Sequence, residues 1–187
     1  FLNSQIWDAE HSKSELIRLI QDLIARMQEI FGKNFREINR CFQETFRELF
    51  GGGHAELHLS DPEEMLDSGI DISVEPPGKV ITNLAALSGG EQALVAIAIY
   101  FAIMRVHPAP FCVLDEIEAA LDDVNIDKYA AYLQKMAEQT QFILITHRRG
   151  SMEAADMLYG VTMQEEGVSK LLQLKVAELE RTALAVT

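Results

Sequence analysis

The chain has 187 residues, 48% hydrophobic and 24% charged, enough for one domain with a core or for two small lobes. Its formal net charge is −13, from 16 Lys and Arg against 29 Asp and Glu. That balance argues against a large nucleic-acid footprint on this chain alone, because phosphate binding needs Lys and Arg, and leaves room for no more than a small local basic patch.

Two cysteines, Cys41 and Cys112, match no metal-ligand spacing and no disulfide framework, which suits a reducing, cytoplasmic setting. The chain begins at Phe1, and its opening residues do not form a basic, apolar leader, as expected of a fragment of something longer. The longest apolar run, Ala93 to Met104, is too short to span a bilayer and reads as a buried core helix.

In chain order, residues from about 4 to 49 predict one long helix with two regimes. Leu16, Ile20, Leu23, Met27 and Ile30 step by alternating fours and threes, a coiled-coil seam. Met27, Phe31, Phe35, Ile38, Phe42, Phe46 and Leu49 step mostly by four, which suits a straight helix packed on a globular body. With Gly32 at the changeover, this reads as an arm that enters a compact domain near Phe31; an ordinary long amphipathic helix fits the same pattern. Gly51, Gly52 and Gly53 supply the positive φ that a helix end wants. They do not make a phosphate-binding loop of the form G-x-x-x-x-G-K-[ST], and neither do Gly78 and Lys79, which read as a turn after Pro76 and Pro77.

Residues 55–59 and 70–74 alternate with period two and predict half-exposed antiparallel strands. His54 and His58 read as surface residues there, because no further His or Cys lies nearby. After the apolar helix of Ala93 to Met104 come a strand at 111–115, a helix at about 125–138 and a strand at 142–146, an alternation that implies a parallel sheet. Strands near 158–164 and 168–176 complete the series, turning at Glu166 and Gly167.

Three pieces carry candidate chemistry. Ser88, Gly89 and Gly90 open the apolar helix; a hydroxyl, close backbone approach and the helix dipole suit an oxyanion there, although a serine N-cap with flexible glycines reads equally well. Asp115 and Glu116 end an apolar strand, where two neighbouring carboxylates repel one another and lose solvation, an arrangement that serves a cation or a proton transfer. Asp115 can hold Mg²⁺ and Glu116 can orient and deprotonate a water. His147 ends the second apolar strand and can donate to a phosphate oxygen. Arg148 and Arg149 beside it suit either phosphate contact or surface cover, and Cys112 reads as an inert core thiol.

Together, residues 87–91 (LSGGE), 111–122 (FCVLDEIEAALD) and 145–153 (ITHRRGSME) resemble the ABC-type ATPase head of bacterial SMC (structural maintenance of chromosomes, condensin) proteins. The resemblance continues through residues 156–170 and reaches back through 46–53. It implies an α/β fold: the C-terminal lobe of an ABC-type P-loop ATPase head, with a mixed sheet, flanking helices and a long coiled-coil helix in front. Residues 1–50 would be the arm, 51–176 the lobe and 177–187 a frayed tail.

Under this resemblance Ser88, Gly89 and Gly90 are the signature motif, Asp115 and Glu116 the Walker B pair, Asp122 the D-loop residue and His147 the switch histidine, with ATP and Mg²⁺ as cofactors. The sequence departs from the family pattern at Gln92, where arginine is common, and lacks the P-loop and Q-loop, which lie at the far end of the family's long chains. The expected partners are therefore the N-terminal half of the same head, a second head joined as a homodimer on ATP binding, a kleisin through its C-terminal winged-helix domain, and DNA through the full complex. The expected function is ATP-dependent head engagement and hydrolysis in chromosome condensation and segregation, in the cytoplasm at the nucleoid. A coiled-coil DNA-repair ABC ATPase and a nucleotide-binding scaffold without turnover are the alternatives.

Overall fold

A computed structural model describes residues 2–78, 84–165 and 167–176. The long helix α1 (Leu2–Phe50) leads into an antiparallel pair, β1 (His54–Leu59) and β2 (Ile70–Glu75). Then come α2 (Gly89–Val106), β3 (Phe111–Asp115), α3 (Asp123–Met136), β4 (Gln141–Ile145), α4 (Arg149–Glu153), β5 (Met157–Glu165) and β6 (Val168–Lys175). The described strands pair two by two: β1 with β2 and β5 with β6 antiparallel, β3 with β4 parallel. The expected tail from 177 to 187 lies outside the described residues, as does Lys79.

The two regimes of α1 differ in burial. Leu16, Ile20, Leu23, Met27 and Ile30 are all exposed, so the 4-3-4-3 stripe is a seam with nothing on it. Gly32 is buried, Phe35 and Ile38 are half-buried, and Phe42, Phe46 and Leu49 are fully enclosed. Each enclosed Phe contributes about 2–3 kcal/mol of apolar burial. Phe46 stacks on Phe50 with centroids 4.2 Å apart.

Helix α2 is long and apolar enough to cross a membrane by length and composition. In this fold, however, Leu94, Val95, Ile97, Ala98, Phe101, Ala102 and Met104 all join the core against α1. Phe101 also stacks on Tyr132 of α3, at 5.3 Å. Polar side chains fix the crossing. Thr45 Oγ1 and Tyr132 OH share a buried hydrogen bond of 2.9 Å, Arg105 donates to Glu44 at 2.7 Å, and Lys135 donates to Glu48 at 2.6 Å. Asn39 of α1 clamps the first strand from the side, accepting from Leu57 N at 2.8 Å and donating to Leu57 O at 3.3 Å.

Two surfaces of the lobe are apolar and bare. The outward face of the parallel pair carries Phe111, Val113, Ile143 and Ile145, each close to half exposed or more. An open apolar cleft of about 520 Å³ runs between α1, the first strand pair and α2, lined by Met27, Phe31, Ile38, Leu57, Ile72 and Ile99 among others. Every residue of β6 is exposed, Leu172 and Leu174 included, because β5 is its sole strand partner among the described residues.

The three glycines after α1 all have positive φ, and Gly52 N closes the helix by donating to Arg47 O at 2.9 Å. They are not equivalent. A Cβ on Gly51 would meet nothing within 4 Å, whereas one on Gly53 would come within 2.3 Å of Glu75 O. Gly51→Ala is therefore expected to cost about 1 kcal/mol from backbone strain alone. Gly53→Ala should cost about 3 kcal/mol or more, because overlap with the β2 backbone adds to the strain. Denaturant unfolding of the two variants side by side checks the order.

Candidate functional site

Parallel register places the site. Asp115 and Ile145 are Cα partners at the carboxyl ends of β3 and β4, so Glu116 and Thr146 leave the pair side by side. Both strands alternate a buried or half-buried residue with an exposed one: Cys112 and Leu114 in β3, and Phe142 and Leu144 in β4, face the core. That packing holds the strand ends while their polar continuations project into solvent, where an open α/β unit presents its ligand groups.

Glu116 is the one non-glycine with positive φ among the described residues, at +48°. Its N–H still donates to Ile145 O across the pair at 2.9 Å, so the strained turn begins from a bonded position. The strain swings the side chain towards the neighbouring strand, where Glu116 Oε1 lies 3.1 Å from His147 Nδ1. A carboxylate oxygen can only accept, so the imidazole donates from Nδ1, which leaves Nε2 an acceptor in the neutral ring and a donor in the imidazolium. The two side chains are 53% and 63% exposed, so neither position is set by burial of the reactive groups. Asp115 is exposed too. The expected loss of carboxylate solvation is therefore not found, because the strand pair ends at the surface and nothing roofs it among the described residues.

Ser88 is the N-cap of α2 in a complete capping box: its Oγ accepts from Glu91 N at 3.3 Å and donates to Glu91 Oε2 at 3.0 Å, while Ser88 N donates to the same Oε2 at 3.0 Å. The hydroxyl is thus engaged within its own turn rather than with the Glu116–His147 pair. Gly89 is exposed with nothing within 4 Å of an added Cβ, so backbone is open to an approaching group there; a Cβ on Gly90 would lie 3.3 Å from Ala120 O. Gln92, the departure from the arginine pattern, uses its amide to hold Leu84 O at 3.2 Å and Leu87 O at 3.1 Å. Asp122 caps α3, Oδ1 accepting from Asn125 N at 2.9 Å.

The fold therefore brings Asp115, Glu116 and His147 together at one strand end. It sets Gly90 against the turn that leads to Asp122, and keeps Ser88 on its own helix cap. Arg148 does neither of the things anticipated for it. Its guanidinium donates through Nη2 to Leu121 O and sits 3.7 Å from Asp123, so it ties the histidine segment to the 116–122 turn. Arg149 pairs with Glu153 at 2.7 Å. Sequence reasoning passed over Glu118, which is 1% exposed and accepts from Ser151 at 3.0 Å; the signal was a lone Glu inside the apolar run Ile117–Leu121. Burial, and after it the Glu118 charge, push the Tyr129 phenol well above its usual range. A hydrogen bond to Cys112, 3.0 Å away, together with burial, holds the Tyr100 phenol up at about 12. His54 and His58 are exposed on β1, with Nε2 at 3.6 and 3.7 Å from Glu56 Oε2.

The left-handed backbone at Glu116 makes a prediction that needs no ligand. Asn tolerates this conformation, so Glu116→Asn should leave the melting temperature unchanged or raise it. A β-branched residue does not, and Glu116→Val should lose about 2 kcal/mol. Thermal and denaturant melting of the two variants check this.

Known proteins resemble this chain in sequence and in fold. A family model described as RecF/RecN/SMC N terminal domain matches residues 4–170. The chromosome partition protein Smc of Bacillus subtilis is 52% identical over 178 residues, which is 95% of this chain and 15% of that protein. The chain thus spans about one seventh of the length of the curated relatives it matches. Among solved structures, the SmcHead bound to the C-winged helix domain of ScpA aligns with a TM-score of 0.74 and 41% identity, over 81% of this chain and 46% of that one. A chain from work on ATP-driven dimerization and DNA stimulated activation of SMC ATPases also aligns with a TM-score of 0.74, at 38% identity over 85% of this chain and 96% of that one. The parallel strand pair, the capped apolar helix α2 and these matches over most of its residues lead to one assignment: the chain belongs to the SMC family.

Proposed function

We propose that this chain is the C-terminal half of an SMC ATPase head, which supplies the signature motif, the Walker B pair and the switch histidine for ATP-dependent head engagement and hydrolysis. The observation that carries the reading is the 3.1 Å pairing of Glu116 Oε1 with His147 Nδ1 beside Asp115, at the carboxyl ends of two parallel strands. Glu116 orients the attacking water and accepts its proton as the water oxygen bonds the γ-phosphorus and the bond to the β-phosphate oxygen breaks, releasing ADP. His147 acts as the imidazolium, the form with an N–H on both ring nitrogens, donating from Nδ1 to Glu116 and from Nε2 to a γ-phosphate oxygen. The exposed carboxylate of Asp115 is a hard oxygen donor that fits Mg²⁺, which when bound offsets charge on the phosphates. The amide-rich, dipole-positive start of α2 at Ser88, Gly89 and Gly90 serves the nucleotide of a second head, and Asp122 lies in the turn that Gly90 abuts.

Completion needs partners. The N-terminal half of the same protein brings the P-loop and covers the bare face of Phe111, Val113, Ile143 and Ile145, as well as the apolar cleft along α1. A second helix closes the seam of Leu16, Ile20, Leu23, Met27 and Ile30, so residues 1–50 form the arm and 51–176 the lobe. A kleisin docks through its C-terminal winged-helix domain on the last strand pair. There Tyr159, Val161 and Met163 stand across from Gln173, Leu171 and Ser169, giving an exposed apolar face around Leu171. The whole protein works on DNA in chromosome condensation and segregation, in the cytoplasm at the nucleoid.

In the complete protein, Glu116→Gln keeps the shape and loses the base. ATP should still join the heads while turnover falls at least about a hundredfold. Ser88→Arg should leave nucleotide binding to each head intact and abolish ATP-dependent dimerisation, since bulk and positive charge replace the cap hydroxyl. Light scattering with ATP, together with phosphate release, checks both. The double change Leu171→Glu with Gln173→Lys should weaken kleisin binding at least tenfold by titration calorimetry, with an unchanged melting temperature.

A further inference from the structure

Glu118 is the carboxyl group that the reaction does not use. It lies two residues beyond Glu116 in the turn between β3 and α3, and it is 1% exposed. Oε1 accepts from Ser151 Oγ at 3.0 Å, and Oε2 has no hydrogen-bond partner among the described residues. Ser151 is itself 3% exposed, on α4, four residues past His147. A buried carboxyl with one oxygen unpartnered destabilises a core that Leu or Met would fill more favourably, so its presence calls for a reason other than packing.

The reason lies in how Glu116 and His147 are held. Both are more than half exposed, so their 3.1 Å approach depends on the backbones that carry them. Beyond Glu116 N donating to Ile145 O, those backbones leave the strand ladder. The 116–122 turn is closed on itself by Ala119 N donating to Glu116 O at 3.0 Å and Leu121 N donating to Glu118 O at 2.9 Å. The 147–153 segment is seated on α3, where Gly150 packs against Ile126 and Gln134 donates to Ala154 O at 3.1 Å. Two ties join turn and segment: the Arg148 guanidinium to Leu121 O and Asp123, and Ser151 to Glu118. The second is fully removed from solvent, where water cannot compete for the bond.

We infer that Glu118 is a positioning residue: its buried hydrogen bond to Ser151 locks the segment bearing His147 to the turn bearing Glu116 and Asp122. The inference rests on the reading of Glu116 and His147 as the hydrolytic pair. Glu118 touches no nucleotide; it acts by keeping the imidazole within reach of Glu116 Oε1.

The test uses the complete protein and compares Glu118→Met, which fills the space without the bond, Ser151→Ala, which deletes the donor, and Glu118→Gln, whose amide oxygen can still accept. The first two should lower kcat about tenfold or more, as a displaced catalytic group does, with KM for ATP and ATP-dependent dimerisation unchanged. Glu118→Gln should recover most of the rate. The double variant should lose no more than either single one, since both remove one bond. In a His147→Ala background, Glu118→Met should have no further effect on the residual rate, which a merely structural role would not predict. Should Glu118→Met fail to fold, Ser151→Ala carries the same comparison in both backgrounds. The inference is overturned if these folded variants keep the wild-type kcat, or if their loss persists undiminished without His147. A Glu116→Gln control separates the two claims: turnover surviving in that variant sinks the hydrolytic pair itself, whereas a dead Glu116→Gln beside an active Ser151→Ala sinks only the lock.

Discussion

The in-register parallel pairing of β3 with β4 is the constraint on which the rest depends. Parallel strands joined by one crossover helix end on the same side, so a carboxylate after the first and an imidazole after the second become neighbours without any contact in sequence. A register shift of one residue would turn Glu116 or His147 to the opposite face. Register is held by Cys112, Leu114, Phe142 and Leu144 packed towards Phe101 and α3. The core thus acts on the chemistry through geometry, and the positive φ at Glu116 is the local cost of aiming its side chain across the pair.

The same strand pair shows why the lobe has the surface of a part. One face packs towards α2, where Phe142 meets Phe101, while the other carries four large apolar side chains in the open; an apolar cleft and an exposed helical stripe lie on other elements. Patches of this kind mark where another chain segment belongs. They occur on the strand face, in the cleft, along the arm and on the last hairpin. In the head proposed above, a second half, a second helix and a kleisin domain would cover them. The acidic balance of the chain fits that proposal, in which contact with DNA falls to the assembled complex rather than to this lobe.

Much of this was legible in the amino-acid order. The stepping of Phe31, Phe35, Ile38, Phe42, Phe46 and Leu49 gave the buried stripe of α1, because residues three and four apart share a face. The triple glycine marked the helix end, and the apolar runs ending at Asp115 and before His147 marked the strand ends that meet. Helix α3 begins two residues before the expected start because Asp122 is itself the cap, a local bond that periodicity does not register. Exposure was harder to read. The apolar run before Asp115 and Glu116 predicts burial for both, but burial of a strand end depends on what lies over it, and that is not written in the strand. Glu118 and Ser151 escaped notice, and the role of Arg148 was misread, for a related reason: their partners sit about 30 residues away, and pattern along the chain carries no signal for a pair across it.

The central claim is that this chain holds one half of a hydrolytic site, and the most direct measurement is phosphate release by the purified chain alone and after co-expression with the N-terminal half of the same protein. The account predicts no ATP turnover by the chain alone, because the groups that cradle the β- and γ-phosphates lie elsewhere. It predicts Glu116-dependent turnover once the two halves associate and dimerise on ATP. Glu116-dependent turnover by the isolated chain, or stably associated halves that bind ATP without ever dimerising or hydrolysing it, would contradict it.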